Sequence, residues 1–386
     1  MVEDRTPERQ VPVCIDGRLA AAEATGVASY AGALRDGLAA TGPAPLVLDD
    51  DQHGRFGEPV STAGMIRRGL AGRLRSRVSL QRDVARLHAP DVFRLAQSRF
   101  TSTGKLLTLD CPGPPGIMHW TYPIPARING WVNLYTVHDV IPLVAPDVAA
   151  VEPASLQRRI LAVAAVADRL LTVSASAREQ ILSALSLSSA LVVDCGTAVT
   201  ALEPGDGRLP ADLRPDGYYL YCGLAEPRKN LPRLIAAWRA SGTRYPLVLT
   251  GPDHQSVASQ PGLVILPYQP RRVLVDLMRQ ARALLFPSLH EGFGLPVAEA
   301  MALGTPVLAA NGGALAEVAD GAAVMVDPHD EAAITQGIAL LDRDDALRRD
   351  LAARGRARAQ AFTIARFGAR VRRLHDEFAS DSRFDV

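Results

Sequence analysis

Short apolar runs, bounded by turn residues and separated by helical-looking stretches, recur along the whole chain. In the first half they include Val11–Ile15, Leu46–Leu48, Lys105–Leu109, Gly116–Trp120, Asn133–Val137, Leu170–Val173 and Leu191–Val193. In the second half they include Tyr218–Cys222, Leu247–Thr250, Leu263–Leu266, Ala283–Phe286, Pro306–Ala309 and Ala323–Val326. They do not alternate apolar with polar, so as strands they must be covered on both faces. Helices above and below a sheet supply that cover, and strand–helix alternation makes the sheet parallel. The chain is therefore expected to be α/β. Two sets of runs in 386 residues predict two Rossmann-like domains. The stretch Glu203–Gly217 holds three prolines and three glycines and reads as the linker between them.

Composition excludes several classes. The chain is 48% hydrophobic and 22% charged with a net charge of +1. That suits a soluble globular protein and argues against a nucleic-acid partner. Cys14, Cys111, Cys195 and Cys222 are widely spaced, which rules out a zinc ribbon or dithiol motif and fits a reducing cytosol. Residues 1–10 are polar and lack a signal-peptide core. The longest apolar candidate, Ile160–Ala167, stops at Asp168 and Arg169, too short to span a bilayer. The stretch Arg67–Arg86 carries seven arginines against Asp83. It is read as an amphipathic helix, either a solvated face or a peripheral contact with anionic membrane.

The strongest local signal is Ser288-Leu-His-Glu-Gly-Phe-Gly-Leu-Pro-Val-Ala-Glu-Ala-Met-Ala-Leu-Gly-Thr-Pro-Val307. It lies between two buried runs, so Glu291–Leu295 is a loop at the carboxyl end of a strand. Pro296 suits a helix start and Gly304 its C-terminal cap. The free N–H groups at that helix start make an anion site, and Gly292 and Gly294 allow close approach of a ligand. Glu291 and Glu299 flank the site. Acids beside an anion make sense if they bind neutral hydroxyls, as on a sugar.

Glutamate, seven residues and glutamate, around Gly-Phe-Gly-Leu-Pro, resembles the donor-site signature of the family four glycosyltransferases. Gly223-Leu-Ala-Glu-Pro-Arg-Lys-Asn230 is similar to the family's lysine motif. Tyr135-Thr-Val-His-Asp-Val-Ile-Pro-Leu143, the loop ending Thr25-Gly-Val-Ala-Ser-Tyr30, and Leu171-Thr-Val-Ser174 follow the family's order. The resemblance implies the GT-B fold: two Rossmann-like domains with parallel sheets facing across a cleft, and a last helix crossing back to the first domain. The expected division is 1–205 for the acceptor-binding domain, 206–365 for the donor-binding domain and 366–386 for the crossing helix. It implies His138, Lys229 and Glu291 as catalytic residues. Gly26, Arg228, Gly251, Gly292, Phe293, Gly294, Leu295 and Glu299 would bind the donor. Lys229 and Arg228 would neutralise a diphosphate, Glu291 would hold sugar hydroxyls and Glu299 the ribose. Leu224 stands where many members carry a second phosphate-binding arginine.

The function so implied is a retaining, metal-independent transfer of a hexose from a nucleoside-diphosphate sugar to a glycan or lipid-linked acceptor at the cytoplasmic face. The stretch His119-Trp-Thr-Tyr-Pro-Ile-Pro-Ala-Arg-Ile128 resembles the mannosyltransferases of bacterial surface polysaccharides, which makes GDP-mannose the first donor to consider. No cofactor beyond the donor substrate and no metal site is expected. Asp49-Asp50-Asp51 and Asp342-Arg-Asp344 contain Asp-x-Asp but lie away from the donor motifs and read as solvated acids. A nicotinamide dehydrogenase would need Gly-x-Gly-x-x-Gly directly after the first strand, where Asp16-Gly-Arg-Leu-Ala stands. A GT-B sugar-nucleotide epimerase and an inactive GT-B scaffold are the alternatives.

Overall fold

The computed structural model describes residues 11–19, 25–50, 74–149, 151–210, 213–252, 254 and 257–385. The first half contains strands β1 (Val13–Asp16), β2 (Leu46–Asp49), β3 (Arg77–Ser79), β4 (Gln81–Arg82), β5 (Arg86–His88), β6 (Leu107–Asp110), β7 (Ile117–Trp120), β8 (Ala126–Ile128), β9 (Val132–Thr136), β10 (Arg169–Thr172) and β11 (Val192–Asp194). Eight of them form one sheet in the order β11-β10-β9-β7-β1-β2-β5-β4. Every pairing in it is parallel except β4 with β5. A small parallel sheet, β3-β6-β8, lies beside it.

The second half adds β12 (Tyr219–Cys222), β13 (Leu247–Thr250), β14 (Leu263–Leu266), β15 (Ala283–Phe286), β16 (Val307–Ala310) and β17 (Val324–Val326). They form a parallel sheet in the order β14-β13-β12-β15-β16-β17. The strand order reverses between β12 and β15 here, and between β1 and β7 in the first sheet. Open α/β sheets bind ligands beyond the carboxyl ends of the strands at such reversals. Topology thus sets the candidate crevices: after Cys222 and Phe286 in one half, after Asp16 and Trp120 in the other.

The last long helix, Ile364–Asp376, leaves the second half and packs on Gly26–Thr41 of the first. Phe367, Val371 and Leu374 recur at helical spacing and are buried there. Gly37 and Gly368 let the two backbones meet: a Cβ on Gly37 would stand 3.2 Å from the Gly368 Cα. Arg372 donates to the Leu38 carbonyl at 2.9 Å and Arg370 to that of Cys195 at 2.8 Å.

The arginine-rich stretch is corrected. Arg67, Arg68 and Arg73 lie outside the described residues, but Arg77, Arg82 and Arg86 sit on strands rather than a helix. Arg77-Val78-Ser79 and Arg86-Leu87-His88 repeat with period two, so the arginines face outward while Leu87 is buried. Arg77 pairs with Asp110 across β3 and β6, and Arg82 donates to the carbonyls of Pro112 and Pro114.

Candidate active site

Glu291 follows β15 and Lys229 lies in the turn Pro227–Lys229 after β12, so the strand reversal brings them together. The Lys229 Nζ stands 2.6 Å from Glu291 Oε1, and Arg228 Nη1 is 3.1 Å from Oε2. Both the Lys229 and Glu291 side chains are under a tenth exposed. Burial alone would push the Glu291 carboxyl up, but Lys229 and Arg228 outweigh it and hold it below the usual carboxylate range. The Lys229 ammonium also lies 4.8 Å from the centre of the Phe286 ring. Arg228 is shared with Glu226 at 2.7 Å. The candidate cations for a diphosphate are therefore partnered by the candidate sugar-binding acid.

The helix Leu295–Leu303 starts from Gly294 at φ +100°, with Pro296 in its first turn and Gly304 at φ +76° closing it. A Cβ on Gly294 would collide with Leu315. Phe293 is buried edge-on against Phe362 at 5.3 Å, which leaves its backbone, not its ring, for a ligand. Glu299 is buried, and both its oxygens are held by Arg271, at 2.6 and 3.1 Å. Gly223 and Gly251, at φ +149° and +139°, face each other beyond β12 and β13, where any Cβ on Gly251 would strike the Gly223 carbonyl.

The first half meets this site directly. His138 follows β9, and a Cβ added to Gly292 would stand only 2.5 Å from the His138 carbonyl oxygen. Gly26 opens the helix Gly26–Thr41, whose start is capped by Thr25, and a Cβ added to it would stand 3.8 Å from the Leu295 side chain. The Ser174 hydroxyl donates to the Gly292 carbonyl at 2.7 Å. Glu317, on the helix Gly313–Ala319, accepts from the Ala175 and Ser176 N–H groups at 3.0 and 2.9 Å. A carboxylate from one half thus caps a helix N-terminus of the other. The His138 Nε2 donates to the Thr121 carbonyl at 2.9 Å, and its ring meets Tyr30 edge-on at 4.9 Å. Burial pulls the His138 imidazole below its ordinary value, so the neutral ring is the resting form at pH 7.

His138, Lys229, Arg228, Glu291, Gly292, Phe293, Gly294, Leu295 and Gly26 are therefore gathered where the two halves meet, with Gly251 and Glu299 in the second half. Sequence reasoning passed over Asp16, Arg271 and Glu317, whose partners are far away in the chain. Ser174 lies in the Leu171–Ser174 motif, which gives it no role by itself. Among the described residues no group of three His, Cys, Asp or Glu is placed to hold a metal ion. Contrary to the solvated reading, Asp49 and Asp50 are buried at the end of β2, and Asp342 lies beside Arg282 and Tyr219. Asp51 lies outside the described residues.

Residues 213–358 match the family described as Glycosyl transferases group 1. The chain is similar to the O-antigen chain mannosyltransferase B of Escherichia coli, 33% identical over 220 residues, 51% of this chain and 57% of that protein. It is similar to the serotype-specific mannosyltransferase WbdA of Escherichia coli, 29% identical over 273 residues, 64% of this chain and 33% of that protein. A D-inositol 3-phosphate glycosyltransferase of Nocardia farcinica is 30% identical over 293 residues, 66% of this chain and 64% of that protein. The chain spans about one third to two thirds of these relatives. Among solved structures, the sucrose-phosphate synthase of Thermosynechococcus elongatus superposes with a TM-score of 0.68 at 19% identity, covering 97% of this chain and all of that one. Anabaena HepE in complex with UDP and glucose superposes at 0.62 and 14% identity, covering 95% and 100%. The shared architecture is GT-B.

Proposed function

We propose, from the premise that this is a GT-B chain whose residues 213–358 form a glycosyl transferases group 1 domain, that it moves a hexose from a nucleoside-diphosphate sugar to a hydroxyl of a glycan or lipid-linked acceptor. The observation that carries the reading is the Lys229–Arg228–Glu291 cluster at the strand reversal, in contact with the His138 loop. Mannose, carried as GDP-mannose, is the first choice of sugar, supported by likeness to proteins named as O-antigen mannosyltransferases.

In this reading the donor diphosphate lies at the start of the helix Leu295–Leu303 and draws Lys229 and Arg228 away from Glu291. Negative charge grows on the leaving diphosphate in the transition state, and these cations and the helix N–H groups stabilise it there. Glu291, released, accepts hydrogen bonds from the sugar hydroxyls, with the backbone of Gly292, Phe293 and Gly294 beside it. Glu299 reaches the ribose only if Arg271 yields one of its oxygens or itself extends the contact. His138 and Gly26 present the first half to the sugar and phosphate, and contact between the halves excludes water. Retention of configuration, with the leaving phosphate taking the acceptor proton, and independence of a metal ion belong to the proposal. The reaction would serve bacterial surface-polysaccharide synthesis on the cytoplasmic side.

No helix among the described residues is long and apolar enough to cross a membrane. Peripheral contact with anionic lipid through residues 67–86 stays in the reading, with Val84, 99% exposed between β4 and β5, as its apolar tip. Equal binding to anionic and neutral vesicles would remove it. The donor is tested by a thermal-shift panel of GDP-, UDP-, ADP- and dTDP-hexoses. A donor at 100 Kd adds about 2.7 kcal/mol of stability, so GDP-mannose is expected to stand out. A panel in which no nucleotide sugar shifts the transition refutes the reading.

A further inference from the structure

Asp16 ends β1, and Thr121 follows β7, the two strands between which the order of the first sheet reverses. Asp16 is 2% exposed. Its Oδ2 accepts the Thr121 N–H at 2.5 Å, while among the described residues the buried Oδ1 has no hydrogen-bond partner. A carboxylate so placed is costly to the fold. An apolar side chain would fill the end of a buried strand at less expense, so its cost calls for a use.

The use is visible one residue further on. Thr121 donates its N–H to Asp16 and accepts, on its carbonyl, the Nε2–H of His138. A carbonyl cannot donate, so Nε2 must carry the proton. With the ring neutral, Nδ1 is then a bare lone pair. It makes no hydrogen bond among the described residues, and the His138 side chain is half-buried. Tyr30 blocks rotation from another side, its own hydroxyl held by Thr136 at 3.0 Å. The N–H and the carbonyl of Thr121 belong to different peptide groups. Asp16 therefore acts by fixing where Thr121 sits, not by pushing electrons through one amide.

We propose that Asp16 is a positioning residue for His138: it pins the Thr121 backbone so that His138 is kept as its Nε2–H tautomer, with Nδ1 offered as a hydrogen-bond acceptor to a hydroxyl of the sugar in the cleft. The inference rests on the reading above, in which His138 orients the donor sugar. It explains why a buried acid stands at the strand reversal, and it makes the histidine an acceptor toward the sugar. Burial pushes the Asp16 carboxyl up, with the Thr121 N–H and Arg18 pulling it back. An asparagine, which keeps an acceptor oxygen without the charge, can take its place.

The test combines NMR with kinetics on the full chain. In protein labelled with 15N-histidine, His138, assigned by its loss in His138→Gln, is expected to show a protonated Nε2 and a bare Nδ1. Asp16→Ala is expected to mix the tautomers and lower kcat on the order of 10-fold or more, the scale at which outer-shell partners of metal-bound histidines act. Its donor KM should change little. Asp16→Asn is expected to recover the tautomer and most of kcat, which a loss of packing alone would not predict. A bare Nε2 in the wild-type protein overturns the proposal, and so does Asp16→Ala with unchanged tautomer and kcat. Should Asp16→Ala not fold, the wild-type spectrum and Asp16→Asn still decide. If His138→Ala turns over donor at the wild-type kcat, the reading of His138 falls. If His138→Ala is slow and Asp16→Ala is not, only the present inference falls.

Discussion

Gly292→Ala is the most selective perturbation of the cleft. The added methyl would sit 2.5 Å from the His138 carbonyl oxygen and 3.2 Å from the Asp139 Cβ. Ordinary contact begins at 3.4 Å, so the two loops must part by about 0.9 Å, the difference between 3.4 and 2.5 Å. Gly292 is not among the glycines with positive φ, so alanine is not strained where it stands. The clash falls only on the contact between the halves, where Ser174 also holds the Gly292 carbonyl. Overpacking of a tight contact costs about 1–3 kcal/mol, which corresponds to roughly 5–150-fold in an equilibrium between arrangements. Steady-state kinetics should show kcat/KM lowered within that range. Calorimetry should show an unfolding temperature near the wild-type value, because neither sheet is touched. A kcat/KM within twofold of wild type would refute the idea that these loops must meet for turnover.

Four further outcomes follow from the structure. Lys229→Ala removes charge that matters most as the diphosphate leaves, so kcat should fall on the order of 100-fold or more. Glu299→Ala should mainly raise the donor KM; the reverse pattern would mean the donor lies the other way round. Activity should survive EDTA, since Lys229, Arg228 and the helix start are assigned the charge stabilisation; loss on chelation restored by manganese would contradict that assignment. His119 and His375 share a 2.7 Å Nε2···Nε2 contact under the crossing helix, and burial, with Arg372 beside it, pushes His375 down to about 3. The unfolded chain then binds more protons than the folded one, so stability is full above about pH 6.5 and is lost as pH falls toward 3. Thermal unfolding from pH 7 to pH 5 should show this slope, and His119→Leu/His375→Leu should flatten it; an unchanged slope would assign it elsewhere.

The fold was legible where strands are covered on both faces. Tyr219–Cys222, Ala283–Phe286 and Val307–Ala310 are buried at every position, and such strands write themselves as unbroken apolar runs. The short strands β3, β4 and β5 did not show, because two or three residues with outward arginines carry too little period-two signal to displace a helical reading. In the site, the glycines and the Glu291-to-Glu299 spacing could be read because they lie on one loop and one helix. The partners could not. Arg271 meets Glu299 across 28 residues, Thr121 meets Asp16 across 105, and Ser174 meets Gly292 across 118. No local pattern marks Glu317, an unremarkable helix glutamate until the two halves are placed together. The sequence sets Glu291 and Glu299 toward neutral hydroxyls, whereas the structure gives each a cation.

The measurement that bears most directly on the central claim is product formation from labelled GDP-mannose and a mannose-terminated oligosaccharide acceptor, with GDP release followed in the same reaction. The account predicts labelled mannose on the acceptor in one-to-one proportion with GDP, dependent on acceptor, and strongly reduced in Lys229→Ala. GDP-mannose bound but only isomerised, or no sugar transferred from any nucleoside-diphosphate hexose to any hydroxyl acceptor offered, would contradict it.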